Sequence, residues 1–233
     1  MSRLPNNYEF DFLDAEVPMP PAPGVASYHP GPFLAWYRRH FADDVTAALE
    51  MINRVIEEDG PYDGIIGFSE GAAAAASVLL APPDGSDEPP RFKFAVFICS
   101  VIPFSPSSEV GIDDTEYALN YEKASLEFFG VPLEEIDATP TSKRIYVYKP
   151  LSGKDKKAAG AGCQNRISIP TLHLLGAKDP FLPFGHYVAS LCDGRKSTVV
   201  SSPCGHELPR NEDTLDKIAS LFESVYEMSR FDF

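Results

Sequence analysis

The residues best suited to covalent chemistry lie together at Gly67-Phe68-Ser69-Glu70-Gly71. Their spacing is G-x-S-x-G, the pattern that sets a serine on a sharp turn from a strand into a helix. The chain turns there so tightly that side chains at the flanking positions clash, hence Gly67 and Gly71. The turn lifts the Ser69 hydroxyl above the sheet edge and aims the backbone N–H of Glu70 at a developing oxyanion, with the helix N-terminus adding positive potential. Such a pattern arises by chance in roughly one chain of this length in ten, so its context decides. An apolar run, Ile65-Ile66, precedes the motif, and Ala72 to Ala76 follow it, small enough to let a helix lie close on a sheet.

An isolated serine is a poor nucleophile and needs a base. In folds that use this turn the partners follow in the order Ser, then Asp or Glu, then His, each just after a later strand. Thr171 to Leu175 reads as a strand, and Asp179 sits in the turn after it. Thr198 to Val200 reads as another, and His206 sits in the loop that follows. Asp179 would hold the imidazole in one tautomer, and His206 would take the serine proton and return it to a leaving group. Other residues compete. His29 and His40 precede the elbow, and His173 lies within a strand, where a packed core role is expected. His186 sits on a helix after the Asp179 loop and is the main rival to His206. Asp193, before Gly194, reads as turn chemistry.

Positioning these groups takes an alternation of strands and helices. Tyr8 to Leu13 alternates aromatic and polar residues as a short strand would. Residues 18–32 are rich in Pro and Gly and read as loop. Asp43 to Glu58 carries apolar residues at helical spacing and is stopped by Gly60-Pro61. A strand is expected over Tyr62 to Phe68, a helix over Glu70 to Leu80 and a strand over Phe92 to Cys99. After residue 166, strands over 171–175 and 197–201 alternate with helices over 184–192 and 211–227. The pattern calls for an α/β fold, a mostly parallel sheet with helices on both faces, in one domain over residues 1–233. Residues 101–166 form an insertion, with a helix over 117–129 and a strand over 144–148, and read equally as a lid or as a tolerated surface loop.

The bulk properties narrow the function. A net charge of -14 opposes nucleic-acid binding and docking on an anionic membrane. The four cysteines, Cys99, Cys163, Cys192 and Cys204, form no CxxC pair, so neither a zinc site nor a disulfide framework is expected. The N-terminus has no apolar signal-peptide core, and no apolar run reaches the ~18 residues of a membrane span. A cytoplasmic setting and no metal or organic cofactor are the expectations.

Four blocks, EEDGPYDGIIGFSEGAAAAASVLL, FKFAVFICSVIPFS, IPTLHLLGAKDP and CGHELPR, stand in an order that resembles the FSH family of serine hydrolases. That family is related to an ovarian-cancer-associated hydrolase of animals and to thioesterases of fungal polyketide clusters. The resemblance implies an α/β-hydrolase fold, hydrolysis of acyl esters or thioesters, a role in fungal secondary (polyketide) metabolism, and a triad on Ser69, Asp179 and His206. An acyl carrier protein is an implied partner; the acidic chain is a poor match for it, the basic stretch Lys154 to Lys157 being a local exception.

Two departures stand out. The family usually has Gln after the nucleophile, where this chain has Glu70; a carboxylate pointing inward there would weaken the oxyanion site. Family members also begin with an apolar strand ending in a His-Gly-type loop that gives the second oxyanion donor, and this sequence is expected to start after it. Either a piece is missing or the Tyr8–Leu13 segment re-pairs to compensate. The alternative function is therefore an impaired or inactive hydrolase-like protein. A further reading keeps the triad but cleaves peptides or lipids; Phe104, Phe128, Phe129 and Val131 of the insertion are too mixed with polar residues to decide it.

Overall fold

The computed structural model describes residues 3–21, 24–81, 90–109, 111–128, 143–148 and 167–231. Its centre is a four-stranded, all-parallel sheet built from β3 (Gly64–Phe68), β4 (Phe94–Ile98), β8 (Thr171–Gly176) and β9 (Ser197–Ser202), in the order β3-β4-β8-β9. Two short antiparallel sheets accompany it. One pairs β1 (Val17–Pro18) with β2 (Leu34–Ala35); the other orders β5 (Phe104–Ser105), β7 (Tyr146–Val147) and β6 (Ile112–Asp113) as β5-β7-β6. The helices are α1 (Ala42–Asp59), α2 (Glu70–Leu80), α3 (Thr115–Phe128), α4 (Leu182–Ser190) and α5 (Glu212–Arg230).

Successive side chains on a strand point to opposite faces, and both faces of this sheet are covered. Ala95 and Phe97 of β4 join a core with Val45, Leu49 and Ile52 of α1, Ala72 to Ala76 of α2 and Val188 of α4. Phe94 and Val96 of β4, with Leu172 and Leu174 of β8, join Phe222 and Val225 of α5 on the other face. The alanine run lets α2 approach closely: all five residues are buried. The last helix is set by its ends: Asn211 caps it by accepting from Thr214 N at 2.8 Å, acids Glu212 and Asp213 sit in the first turn, and Arg230 in the last. No helix among the described residues is long and apolar enough to cross a membrane.

The α/β architecture matches the sequence expectation, as do all the main helices and the four central strands to within a few residues. One expectation fails. Tyr8 to Leu13 forms no strand. An alternating pattern becomes a strand only where a neighbour supplies ladder partners, and here the segment uses its side chains instead. Tyr8 packs edge-on against Phe222 and Tyr226 of α5, at 5.3 and 5.5 Å between ring centres, and Asp11 accepts from the Tyr62 hydroxyl at 2.7 Å. β3 is an edge of the central sheet, and its Ile66 is exposed.

In the 101–166 segment the described parts are β5, β6, α3 and β7, and Phe104, Ile145, Val147 and Tyr148 are buried in the same core as α1 and α2. Phe129, Val131, Lys154 to Lys157 and Cys163 lie outside the described residues.

His173 is a core residue, as its place in a strand suggested. It is 1 % exposed, its Nε2 lies 3.0 Å from Thr171 Oγ1, and Phe97 stands 5.1 Å from its ring. Burial, with a smaller contribution from the charge of His186, pushes its pKa down to about 4. The unfolded chain takes up that proton near pH 6.5 and the folded one only near pH 4. Stability from this residue is therefore complete above pH 6.5 and is lost as pH falls toward 4. Urea midpoints of the wild type should drop between pH 7 and pH 5 by more than those of His173→Leu; equal drops would contradict this assignment.

Candidate active site

The three residues chosen from order and spacing come together at the C-terminal ends of β3, β8 and β9. Ser69 occupies the turn between β3 and α2 with φ 54° and ψ -119°, a conformation that ordinary side chains rarely adopt. The surroundings hold it there. Its N–H donates to Ile98 O at 2.9 Å, and its carbonyl accepts from Ala72 N and Ala73 N at 3.1 and 3.2 Å. A Cβ on Gly67 would stand 2.4 Å from the Ala72 Cα and the Gly71 carbonyl oxygen, so only glycine permits this turn. At Gly71 a Cβ would meet the Trp36 indole nitrogen at 3.3 Å, so the Trp36 ring lies against the elbow.

Although Ser69 stands at the N-cap of α2, its hydroxyl does not cap the helix. It faces His206 instead: Nε2 lies 2.7 Å from Ser69 Oγ, and Nδ1 lies 2.8 Å from Asp179 Oδ2. A carboxylate accepts, so Nδ1–H donates to Asp179 and Nε2 is left to accept the serine proton.

The loops that carry Asp179 and His206 are tied to each other. Ala177 N donates to Ser202 O at 2.7 Å, and Lys178 N donates to Cys204 O at 3.0 Å. Their closeness requires Gly176, where a Cβ would stand 2.0 Å from Gly205 O. Asp179 is buried, and its second oxygen accepts from Phe181 N at 2.8 Å. With both oxygens engaged, the carboxylate cannot rotate away from the imidazole. The His206 ring is flanked by Phe68 at 5.3 Å and Phe181 at 5.1 Å. Phe68 is 44 % exposed and gives the site an apolar, open side.

The competing residues take other places. His186 is exposed on α4, and His29 is exposed in the loop before β2. Asp193 organises its own turn, accepting from Arg195 N at 3.0 Å. The Glu70 side chain turns to the 36–40 segment: Oε2 accepts from Trp36 N at 2.9 Å, and Oε1 lies 3.8 Å from His40 Nε2. The Glu70 N–H belongs to the first turn of α2, where no preceding helical carbonyl can accept it.

Cys99 is a neighbour that the motif search did not single out. It follows β4 directly with φ 47°, and its N–H donates to Leu174 O at 2.8 Å. Its sulfur lies with ligand atoms of Asp179 and His206 inside a 4.8 Å group. Burial, reinforced by the charge of Asp179, raises the thiol to about 12, so at neutral pH it is a protonated thiol, a weak metal ligand. Asp179 and His206 are already bonded to each other, so the group suits proton handling better than metal binding. The only sequence signal for Cys99 was its place at the end of a buried strand.

Comparison with known proteins gives the family. The model of the family described as serine hydrolase (FSH1) matches residues 2–218. Esterase alnB of Emericella nidulans is 30% identical over 240 residues, covering 91% of this chain and 84% of its own. Esterase FPY3 of Fusarium mangiferae is 29% identical over 223 residues, covering 94% and 82%. Hydrolase FUB4 of Fusarium oxysporum f. sp. lycopersici is 28% identical over 244 residues, covering 94% and 88%. With a parallel sheet covered on both faces and a serine on a strand-to-helix elbow, this chain has an α/β-hydrolase fold and belongs to the serine hydrolase (FSH1) family.

Proposed function

We propose that the protein hydrolyses carboxylic esters through an acyl-enzyme on Ser69, with His206 as general base and acid and Asp179 as its orienting carboxylate. The observation that carries the proposal is the relay of two short contacts, Ser69 Oγ to His206 Nε2 at 2.7 Å and His206 Nδ1 to Asp179 Oδ2 at 2.8 Å. Two relatives that match most of the chain bear the name esterase.

In this reading Ser69 Oγ attacks the ester carbonyl carbon as its proton passes to His206 Nε2. The carbonyl oxygen becomes an oxyanion, and the Glu70 N–H donates to it. The imidazolium, held by Asp179, then gives its proton to the departing alkoxide, which leaves as an alcohol. Water repeats the sequence on the acyl-enzyme: its proton goes to His206, its oxygen to the carbonyl carbon, and the proton returns to Ser69 Oγ as the acid leaves. No metal takes part in these steps.

The exposed Phe68 ring and the Phe181 ring beside His206 favour an apolar acyl group. We also read residues 1–233 as one domain in which α3 flanks the site. Tyr121 of α3 stands 6.3 Å from Phe181 and 5.0 Å from Phe184. A panel of p-nitrophenyl acyl esters and matched N-acetylcysteamine thioesters tests the bond class. Ester turnover above thioester turnover, rising with acyl length from acetate to octanoate, is the expected result. Turnover confined to the thioesters would replace the ester reading, and hydrolysis of neither would remove it.

A further inference from the structure

A partly buried charged cluster lies behind the elbow. His40 stacks on Phe104 of β5 at 4.2 Å between ring centres, with Tyr37 of its own segment at 5.5 Å and Tyr121 of α3 at 6.0 Å. Its Nε2 lies 3.8 Å from Glu70 of α2, and its Nδ1 lies 3.4 Å from Glu122 of α3. Nδ1 makes no well-aligned hydrogen bond, so these contacts are charge pairing. Glu122 has a further partner: Arg39 Nε donates to its Oε1 and an Arg39 terminal nitrogen lies against its Oε2, both at 2.8 Å. Asp44 at the start of α1 also feels the His40 charge.

Glu70 explains why such a cation is needed. In the proposed mechanism its backbone N–H donates to the oxyanion, while its own carboxylate is joined to that N–H by a few covalent bonds. An uncompensated negative charge there opposes the charge that develops in the transition state. Gln at this position would carry no such charge.

We infer that His40, as an imidazolium between Glu70 of the elbow and Glu122 of α3, is a positioning residue that neutralises the Glu70 carboxylate and anchors it on the 36–40 segment, so that the Glu70 N–H serves the oxyanion. The role rests on the hydrolase reading proposed above. Burial alone pushes His40 down, but the contacts and charges of Glu122 and Glu70 outweigh it and lift it to about 9. The cation is thus present at neutral pH and is lost as pH rises through about 9. Activity should fall on that alkaline side.

A double-mutant cycle on the whole protein tests this, with circular dichroism to confirm folding. His40→Gln should lower kcat by about tenfold at pH 7.5 with little change in KM, an electrostatic term smaller than loss of a direct oxyanion donor. Glu70→Gln should remove the alkaline limb, and His40→Gln with Glu70→Gln should recover to the level of Glu70→Gln alone. Trp36 is the single tryptophan of the chain and bonds Glu70 through its backbone N–H. Its emission should change between pH 7.5 and 9.5 in the wild type and stay flat in either single variant.

A His40→Gln loss that Glu70→Gln does not rescue would mark a packing role and overturn the inference. So would a Glu70→Gln enzyme that keeps the alkaline limb, which decides the matter if His40→Gln fails to fold. An inactive wild type would overturn the hydrolase reading, and the positioning role with it. A Trp36 transition that is present in the wild type and lost in the variants would then place the failure in that reading rather than in the ion pair.

Discussion

Replacing Ser69 by Ala is expected to lower kcat for a cleaved ester by about 10⁴–10⁶-fold, with KM and the urea midpoint close to wild type. The size follows from what the hydroxyl does. In the proposed mechanism it is the only group in the relay that forms the covalent bond, and without it His206 is left only to activate water held in a place shaped for an acyl-enzyme. Folding should survive because the Ser69 side chain contributes no cap to α2, while the backbone bonds that hold the elbow, to Ile98 O and from Ala72 N and Ala73 N, remain. If anything, an alanine in the same turn still bears the strained φ of 54°, so no gain in stability is expected either. Steady-state kinetics and urea titration of the two proteins measure both quantities. A variant that keeps more than a tenth of the activity would show that the acyl group is carried elsewhere.

Asp179→Asn is the second large effect, about 10⁴-fold in kcat with the fold intact. The carboxylate receives two donors, His206 Nδ1–H and Phe181 N–H, both at 2.8 Å. An amide can still accept from Phe181 N with its oxygen, but its NH₂ then faces Nδ1. The imidazole answers by moving its proton to Nε2, and the nitrogen beside Ser69 Oγ becomes a donor that cannot accept the serine proton. The loss is therefore one of tautomer and of imidazolium stabilisation rather than of structure. Activity that recovers at high pH, where hydroxide can replace the lost base, would fit this account. A variant with wild-type kcat would show that another carboxylate orients His206.

Much of this site was legible in the residues, for reasons that can be named. Ser69 is announced by local crowding, since Gly67 and the alanine run are forced by a turn that only a few sequences permit. Asp179 and His206 lack any local signature, but each closes a strand, and the order of the fold leaves few candidates. Gly176 and Gly205 were not singled out, although their close approach is what lets the two loops meet. Contacts that cross long stretches of sequence were out of reach. Nothing about Glu70 alone reveals that it reaches Trp36 and His40, thirty or so positions earlier, and Glu122 has no motif at all. The strands β1, β2, β5 and β6 are two residues long and too short to show a period, whereas β7 falls inside the strand expected over 144–148. Tyr8 to Leu13 failed for the opposite reason: its alternation is clear, but Tyr8 packs on the α5 face and the backbone joins no strand.

The central claim is that Ser69 is an activated nucleophile, and covalent labelling tests it most directly. The folded protein is treated with a fluorophosphonate, and intact mass and peptide mapping locate the adduct. The account predicts one adduct per chain, on Ser69, absent from Ser69→Ala and strongly slowed in Asp179→Asn. A folded wild-type protein that forms no adduct, or forms it at another residue, would contradict the account and leave an inactive hydrolase-like protein as the better description.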